Sequence, residues 1–114
     1  MAYYSNLPVY DDCMKLLVSY EQALADLSPD IKQDFGSEVR ETLIEVMVCV
    51  YRAKAVVDRY QNIQSAIDNL VRAQILLNLM NELNAISPDQ FTALSNGIMN
   101  ISKQLSAWRQ KSRK

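Results

Sequence analysis

Residues 91–108, FTALSNGIMNISKQLSAW, decide the fold of this chain. Their large apolar side chains recur every three or four positions, at Phe91, Leu94, Ile98, Ile101, Leu105 and Trp108. This spacing places them on one face of an α-helix, in the manner of the a and d positions of a packed bundle. The segment is therefore predicted to be an amphipathic helix that packs against other helices.

Three further segments have the same period. They are separated by Leu7-Pro8, Ser28-Pro29, the polar stretch 58–62 and Ser87-Pro88, where Ser can cap a helix and Pro suits its first turn. The predicted helices span residues 8–27, 29–57, 60–86 and 88–111. Short links between four amphipathic helices predict an all-α fold, an antiparallel up-down-up-down four-helix bundle. We expect one domain over residues 1–114, ending in a basic C-terminal tail.

The core positions of the first three helices follow from the same spacing. The predicted core residues are Cys13, Leu17, Tyr20, Leu24 and Leu27 in the first helix, Val39, Leu43, Val46, Val50, Ala53 and Val57 in the second, and Ile63, Ala66, Leu70, Ala73, Leu77 and Met80 in the third.

The composition excludes most enzyme chemistry. The 114 residues are 49% hydrophobic and include two Gly, three Pro and no His. Without imidazole the chain cannot form Ser-His or Cys-His nucleophile pairs, and most zinc sites are excluded. Cys13 and Cys49 lie among apolar neighbours and are predicted to be reduced core thiols. No leader-like or membrane-length apolar run occurs. We expect a cytoplasmic protein that is not an enzyme, needs no cofactor or metal, and contacts no membrane.

A helix in a bundle buries an apolar arc of about 100° or somewhat more. The second and third helices carry apolar residues over a wider arc than this. The surplus residues predict self-association, although they could instead widen the internal core. The candidate interface residues are Ile44, Met47, Val48 and Tyr51 in the second helix, and Ile75, Leu76, Leu79 and Leu83 in the third.

Charge is divided along the chain. Residues 1–45 carry nine acidic and three basic side chains, and residues 46–114 carry four acidic and nine basic ones. In an up-down-up-down bundle, one end collects the candidate nucleic-acid-binding residues Arg52, Lys54, Arg59, Arg109, Lys111, Arg113 and Lys114. The opposite end is acidic. Such a basic cluster can bind phosphates, but basic residues in last turns also complement helix dipoles. Trp108 could stack on a base, but its place in the seam favours a core role.

The ordered motifs resemble a family of small four-helix-bundle proteins. Leu7-Pro8-Val9-Tyr10 opens the first helix, and the segment 32–36, KQDFG, has the family's Lys-x-x-aromatic-Gly form. Tyr51-Arg52-Ala53-Lys54 and the segment 104–108, QLSAW, follow in order. Over residues 7–110 the chain is similar to the accessory variability proteins of diversity-generating retroelements and to the proteins encoded in 23S rRNA intervening sequences.

The resemblance implies a homopentamer that associates with a reverse transcriptase and supports the synthesis of cDNA from template RNA. We therefore expect a non-enzymatic adaptor that binds RNA or DNA through its basic end. The matching basic positions are Arg52, Lys54 and those after Trp108. The alternative is a protein-only interaction module of the intervening-sequence branch, in which the charges only solubilise the bundle.

Overall fold

The computed structural model describes residues 8–55 and 58–112, which form helices joined by short turns and contain no strand. Four long helices account for most of these residues. They are α1 (Pro8–Leu24), α2 (Ser37–Ala55), α3 (Arg59–Glu82) and α4 (Pro88–Ser112). Among the described residues, no helix combines the length and the apolar character that crossing a membrane requires.

The helices pack as a ring around one core. Contacts join α1 to α2, α2 to α3, α3 to α4, and α4 back to α1. All six core positions predicted on α3 are buried, as are all those on α2 that the structure describes; Val57 lies outside the described residues. Leu17, Phe91 and Trp108 are only partly buried but pack against the core. The helical-bundle prediction is thus confirmed at the level of helix content and core residues.

The pairing of α1 with α4 is close and polar. A Cβ at Gly97 would lie 2.9 Å from Cδ1 of Leu16, so the absence of a side chain at Gly97 lets the helices approach. On the same flank, Asp12 accepts hydrogen bonds from Nδ2 of Asn100 at 3.0 Å and from Nε2 of Gln104 at 2.6 Å. These hydrogen bonds lower the pKa of Asp12 because they favour its charged form. The start of α1 therefore lies beside the second half of α4.

The second predicted helix, over residues 29–57, is helical from Pro29 to Ala55 but is not α-helical throughout. A helical turn, Pro29–Ile31, leads into a π-helical segment, Lys32–Gly36, before α2 begins. The buried hydroxyl of Tyr20 in α1 donates a hydrogen bond of 2.9 Å to the carbonyl oxygen of Gly36. The prediction of a helix is confirmed over the described residues, and only its uniform α-helical form was wrong; the wider turn accompanies the tertiary contact of Tyr20, which local spacing does not predict.

Two helices end earlier than predicted. α1 ends at Leu24, after which Asp26 and Leu27 donate backbone hydrogen bonds three residues back, as in a tightened last turn. α3 ends at Glu82 rather than at residue 86. Asn84 adopts a left-handed conformation with φ 58°, and the amide of Ala85 donates to the carbonyl oxygen of Met80 at 2.8 Å. This is a Schellman motif, in which Asn can replace the usual glycine.

The start of α4 is capped as the sequence predicts. Oγ of Ser87 accepts a hydrogen bond from the backbone amide of Gln90 at 3.0 Å, and Oε1 of Gln90 accepts one from the amide of Ser87 at 2.9 Å. This reciprocal pair is a capping box. Nε2 of Gln90 also donates to Asp26 at 3.4 Å, which links the start of α4 to the end of α1.

Candidate nucleic-acid and oligomer interfaces

Two hydrogen bonds between helices bring together three helix termini that carry basic residues. Nε of Arg59, the first residue of α3, donates to the carbonyl oxygen of Ala53 near the end of α2 at 3.0 Å. Nη1 of Arg109, in the last turns of α4, donates to Oε1 of Gln64 in α3 at 2.7 Å. The end of α2, the start of α3 and the end of α4 therefore lie together.

We call the cationic cluster formed there the basic end. Its members in the described part of the chain are Arg52, Lys54, Arg59, Arg109 and Lys111. Arg52, Arg59 and Lys111 are exposed, whereas Lys54 and Arg109 are half-buried. Arg113 and Lys114, which the sequence also places here, lie outside the described residues. The cluster combines exposed cations with cations that also hold the bundle together.

Arg59 has a structural role at the basic end. Its guanidinium bonds to a carbonyl oxygen in the last turn of α2, where the final carbonyls of a helix have no partner within the helix. A cation also offsets the partial negative charge of that helix terminus. Nearby, Asp58 precedes α3 in a left-handed conformation with φ 49° and makes no side-chain capping hydrogen bond. This junction is held by Arg59 rather than by a conventional N-cap.

Trp108 belongs to the core edge. It is partly buried against the core, and it lines a shallow groove of about 330 Å³ with Pro8, Val9, Gln104, Ala107 and Lys111. The structure therefore favours the core role over base stacking for this indole.

The opposite end of the bundle is acidic. Exposed carboxylates lie at the end of α1, in the connection to α2, at the end of α3 and at the start of α4. We call this group the acidic end; its residues are Asp26, Asp30, Asp34, Glu82 and Asp89. Beside it, Glu38 pairs with Arg72 of α3. Glu21 of α1 pairs with Arg40 of α2 through two hydrogen bonds of 2.5 and 2.9 Å.

The Glu21–Arg40 pair was missed by sequence reasoning. The two residues are 19 positions apart, so no local spacing identifies them as partners. Hydrogen bonding to Arg40 lowers the pKa of Glu21. Of the carboxylates on α2, Glu38 bonds to Arg72, Glu45 accepts from the Cys49 thiol at 3.7 Å, and Glu41 is exposed.

The candidate oligomer residues fall into three groups. Ile44, Tyr51, Ile75, Leu79 and Leu83 are exposed apolar side chains, as a docking surface requires. Val48 and Leu76 are half-buried, and Leu76 packs against the core. Met47 is only 8% exposed and belongs to the core, because it lies on the edge of the α2 stripe that faces inward. A partner could contact Met47 only at the bottom of the groove between α1 and α2.

Two apolar grooves run between helix pairs. One, of about 540 Å³, lies between α1 and α2, and its lining residues are Tyr10, Met14, Leu17, Ile44, Met47, Val48 and Tyr51. The other, of about 520 Å³, lies between α3 and α4, and its lining residues are Leu70, Val71, Gln74, Ile75, Phe91, Ser95, Ile98, Met99 and Ser102.

Sequence reasoning missed the contribution of α1 and α4 to these grooves. Met14 and Val18 on α1 and Met99 on α4 are all exposed apolar residues. On α1, Met14 and Val18 are four positions apart, beside the core stripe that includes Leu17, so the signal was present there. It was overlooked because the width of the apolar arc was compared with that of a single core stripe only for α2 and α3.

Both cysteines are buried thiols. Burial raises the pKa of Cys13 to about 12 and that of Cys49 to about 11, so both are protonated near neutrality. Among residues 8–55 and 58–112, no three His, Cys, Asp or Glu side chains are grouped so that they could hold a metal ion.

No protein-family model matches this chain, and no curated protein matches its sequence.

Proposed function

We propose that this protein is a non-enzymatic adaptor of nucleic-acid synthesis, an accessory protein of a diversity-generating retroelement. In this proposal a homo-oligomer associates with a reverse transcriptase and binds RNA or DNA through its basic end. The observation that carries the proposal is the convergence of three helix termini there, with Arg52, Arg59 and Lys111 exposed on them. A cation cluster of this kind contacts phosphates without reading sequence.

The proposal includes an antiparallel up-down-up-down arrangement of the helices. Asp12 near the start of α1 bonds to Gln104 in the second half of α4, and Asp26 beyond the end of α1 bonds to Gln90 at the start of α4. These contacts support opposite directions for α1 and α4. That arrangement keeps the basic and acidic ends apart on a molecule 45 Å long. Phosphate would then approach one end only.

The resemblance of the ordered motifs to accessory variability proteins supports the assignment to retroelements. The cytoplasm is the proposed location, and the two free buried thiols fit a reducing compartment. Repetition of the basic end in an oligomer adds weak phosphate contacts through multivalency, so one nucleic-acid strand binds several copies.

A second candidate function is a protein-only interaction module, in which the polymerase makes every contact with nucleic acid. The observation that favours it is that Arg59 and Arg109 already donate hydrogen bonds within the chain. Their guanidinium groups have structural roles that would maintain them without any phosphate ligand.

Fluorescence anisotropy of a labelled single-stranded RNA, titrated across a salt series, tests the proposal. We compare the wild type with the double variant Arg52→Gln/Lys111→Gln, whose exposed cations do not hold the helices together. Each lost phosphate contact should reduce the slope of log affinity against log salt by about 0.7. The matched control, Lys15→Gln/Lys103→Gln, changes net charge equally at exposed positions along the sides of α1 and α4.

We expect the basic-end variant to bind more weakly with a shallower salt slope, and the control to stay close to the wild type. Equal losses of affinity in both variants would mean that binding depends on the net charge of the protein and not on the basic end. No binding by the wild type at low salt would reject direct nucleic-acid contact and favour the protein-only module.

A further inference from the structure

Two grooves of similar size lie between α1 and α4, one towards each end of the bundle. The Trp108 groove, of about 330 Å³, is lined by Pro8, Val9, Gln104, Ala107, Trp108 and Lys111. The acidic-end groove, of about 320 Å³, is lined by Ser19, Gln22, Ala23, Asp26, Gln90, Ala93 and Leu94. Because the same two helices form both grooves, the difference between them lies in their lining residues.

The two linings differ in charge and in aromatic character. Among the described residues, the one charged side chain of the Trp108 groove is Lys111 of the basic end, whereas that of the acidic-end groove is Asp26. The indole of Trp108 is partly buried against the core, and its remaining surface borders the groove. The Trp108 groove therefore combines an aromatic wall with a cation, the two features with which proteins bind the base and the phosphate of single-stranded nucleic acids.

The α4 side of the Trp108 groove is held in place by hydrogen bonds. Gln104, Trp108 and Lys111 are separated by four and three positions, so they share one face of α4. Nε2 of Gln104 donates to Asp12 of α1 at 2.6 Å, and Oγ of Ser112 donates to the carbonyl oxygen of Trp108 at 2.9 Å. The groove is thus formed before a ligand arrives, which lowers the entropic cost of binding.

We propose that the Trp108 groove binds one unpaired nucleobase of the nucleic acid whose phosphates contact the basic end. This inference rests on the proposed function and specifies its ligand as a strand with unpaired nucleotides. The base packs against Pro8 and the indole, and an adjacent phosphate pairs with Lys111. The core role of Trp108 is kept, because the base contacts only the part of the indole that borders the groove.

The size of the groove suits this ligand. Its volume of about 330 Å³ is near the lower limit of the roughly 300–1,000 Å³ of small-molecule sites, as one planar ring system requires. In a duplex the bases are paired and stacked, and extruding one of them costs free energy. A single strand should therefore fill the groove, and a continuous duplex should not.

The charges around the groove also suit this ligand. The nearby carboxylate is that of Asp12, which accepts hydrogen bonds from Asn100 and Gln104. Gln104 precedes Lys111 by seven positions, or roughly 10 Å along α4 at a rise of 1.5 Å per residue. That separation exceeds the Debye length of about 8 Å at physiological salt, so the repulsion between Asp12 and a phosphate at Lys111 is largely screened.

The fluorescence of Trp108 tests the proposal, because this residue is the one tryptophan of the chain. Anisotropy of a labelled single-stranded RNA reports binding, and quenching of Trp108 by the same RNA without its label reports a base in the groove. Two further ligands supply phosphates without a free base, namely an abasic strand of the same length and a blunt duplex of the same sequence.

Two leucine variants test which groove is used. Ala107→Leu fills the Trp108 groove, and Ala93→Leu, the matched control, fills the acidic-end groove. Both alanines are exposed on α4, and neither substitution changes the charge of the protein. Since Leu is a good helix former, both variants should fold, which circular dichroism checks.

We expect the single-stranded RNA to quench Trp108 in the wild type and in Ala93→Leu. The abasic strand and the duplex should bind without quenching. Ala107→Leu should bind the single-stranded RNA about fivefold or more weakly, the lower limit of what one base packed on an aromatic side chain contributes. Its salt slope should stay that of the wild type, because its cations are intact.

Three results would overturn the base site while the phosphate contacts of the basic end stand. They are RNA binding without quenching of Trp108, equal quenching by the abasic strand, and equal losses of affinity in the two leucine variants. The groove would then belong to another occupant, such as residues 1–7, which precede Pro8 in the chain. If no ligand changes the anisotropy at low salt, direct contact with nucleic acid is rejected, and the base site is rejected with it.

Discussion

The two ends of the bundle use their polar groups differently. At the acidic end these groups are bonded mainly within the chain: the Tyr20 hydroxyl to Gly36, the Ser87 capping box, and Asp26 to Gln90. At the basic end, Arg59 and Arg109 also bond within the chain, but Arg52 and Lys111 extend into solvent, and Asp58 makes no side-chain capping bond.

This difference indicates a division of roles. An end whose caps and hydroxyls bond internally fixes the helices relative to one another, while an end with exposed cations is available to a ligand. Substitutions at the acidic end should therefore change stability, and substitutions of exposed cations at the basic end should change binding. The following variants test that division.

The largest effect on stability should come from Tyr20→Phe. The substitution keeps the buried ring and removes the hydroxyl, leaving the carbonyl oxygen of Gly36 without its donor from α1. A buried polar group left unpaired costs about 1–3 kcal/mol. Urea unfolding should show a lower midpoint with an unchanged m-value.

RNA affinity of folded Tyr20→Phe should equal that of the wild type, since the change lies at the acidic end. A loss of affinity in protein that is still fully folded would contradict the division between the two ends.

The sequence predicted the helices and their cores well because burial follows a local period. Every predicted core residue of α3 is buried, and Ser87 caps α4 as its place before Pro88 suggests. The π-helical segment before α2 could not be predicted, because it is coupled to Tyr20, 16 residues away from Gly36.

The candidate site was predicted in part. Charge segregation and helix order predicted which cations share one end, and the bonds of Arg59 to the end of α2 and of Arg109 to α3 agree with that prediction for these two residues. The structural duties of Arg59 and Arg109 could not be anticipated, since their acceptors, Ala53 and Gln64, are set by how the helices meet. On α1, the apolar residues beside the core stripe were visible in the sequence and were overlooked.

Two residues with a left-handed backbone conformation, one at each end of α3, allow a smaller effect on the free energy of unfolding to be compared between the two ends of the bundle. Asn84, with φ 58°, ends α3, and Asp58, with φ 49°, precedes it at the basic end. A left-handed conformation costs most residues about 1–2 kcal/mol, whereas Gly adopts it freely. Asn84→Ala should therefore lower the free energy of unfolding by about 1 kcal/mol, and Asn84→Gly should not.

Asp58→Gly should raise thermal stability slightly and, by removing a carboxylate beside Arg59, also strengthen RNA binding. The matched variant Asn84→Gly relieves the same backbone geometry at the other end of α3 and should leave affinity unchanged. If both Gly variants shifted RNA affinity equally, the effect would come from the backbone and not from charge at the basic end.

The smallest effect concerns the Glu21–Arg40 pair. Hydrogen bonds from Arg40 lower the pKa of Glu21 below its ordinary value of 4.5, so the folded state binds this proton less readily than the unfolded state. The resulting stabilisation is fully present above the unfolded pKa and is lost as pH falls through the folded one. Because both side chains are about 40% exposed, solvent screening should keep it below about 1 kcal/mol.

Urea unfolding of the wild type and of Arg40→Gln between pH 7 and pH 2 measures this contribution. The difference in unfolding free energy between the two proteins should shrink as the pH falls through the folded-state pKa of Glu21. Salt should reduce that difference only modestly, because two short hydrogen bonds accompany the ion pair. A difference independent of pH would mean that Arg40 stabilises the α1–α2 contact through the packing of its aliphatic stem, and the acidic end would then depend less on paired charge than its geometry implies.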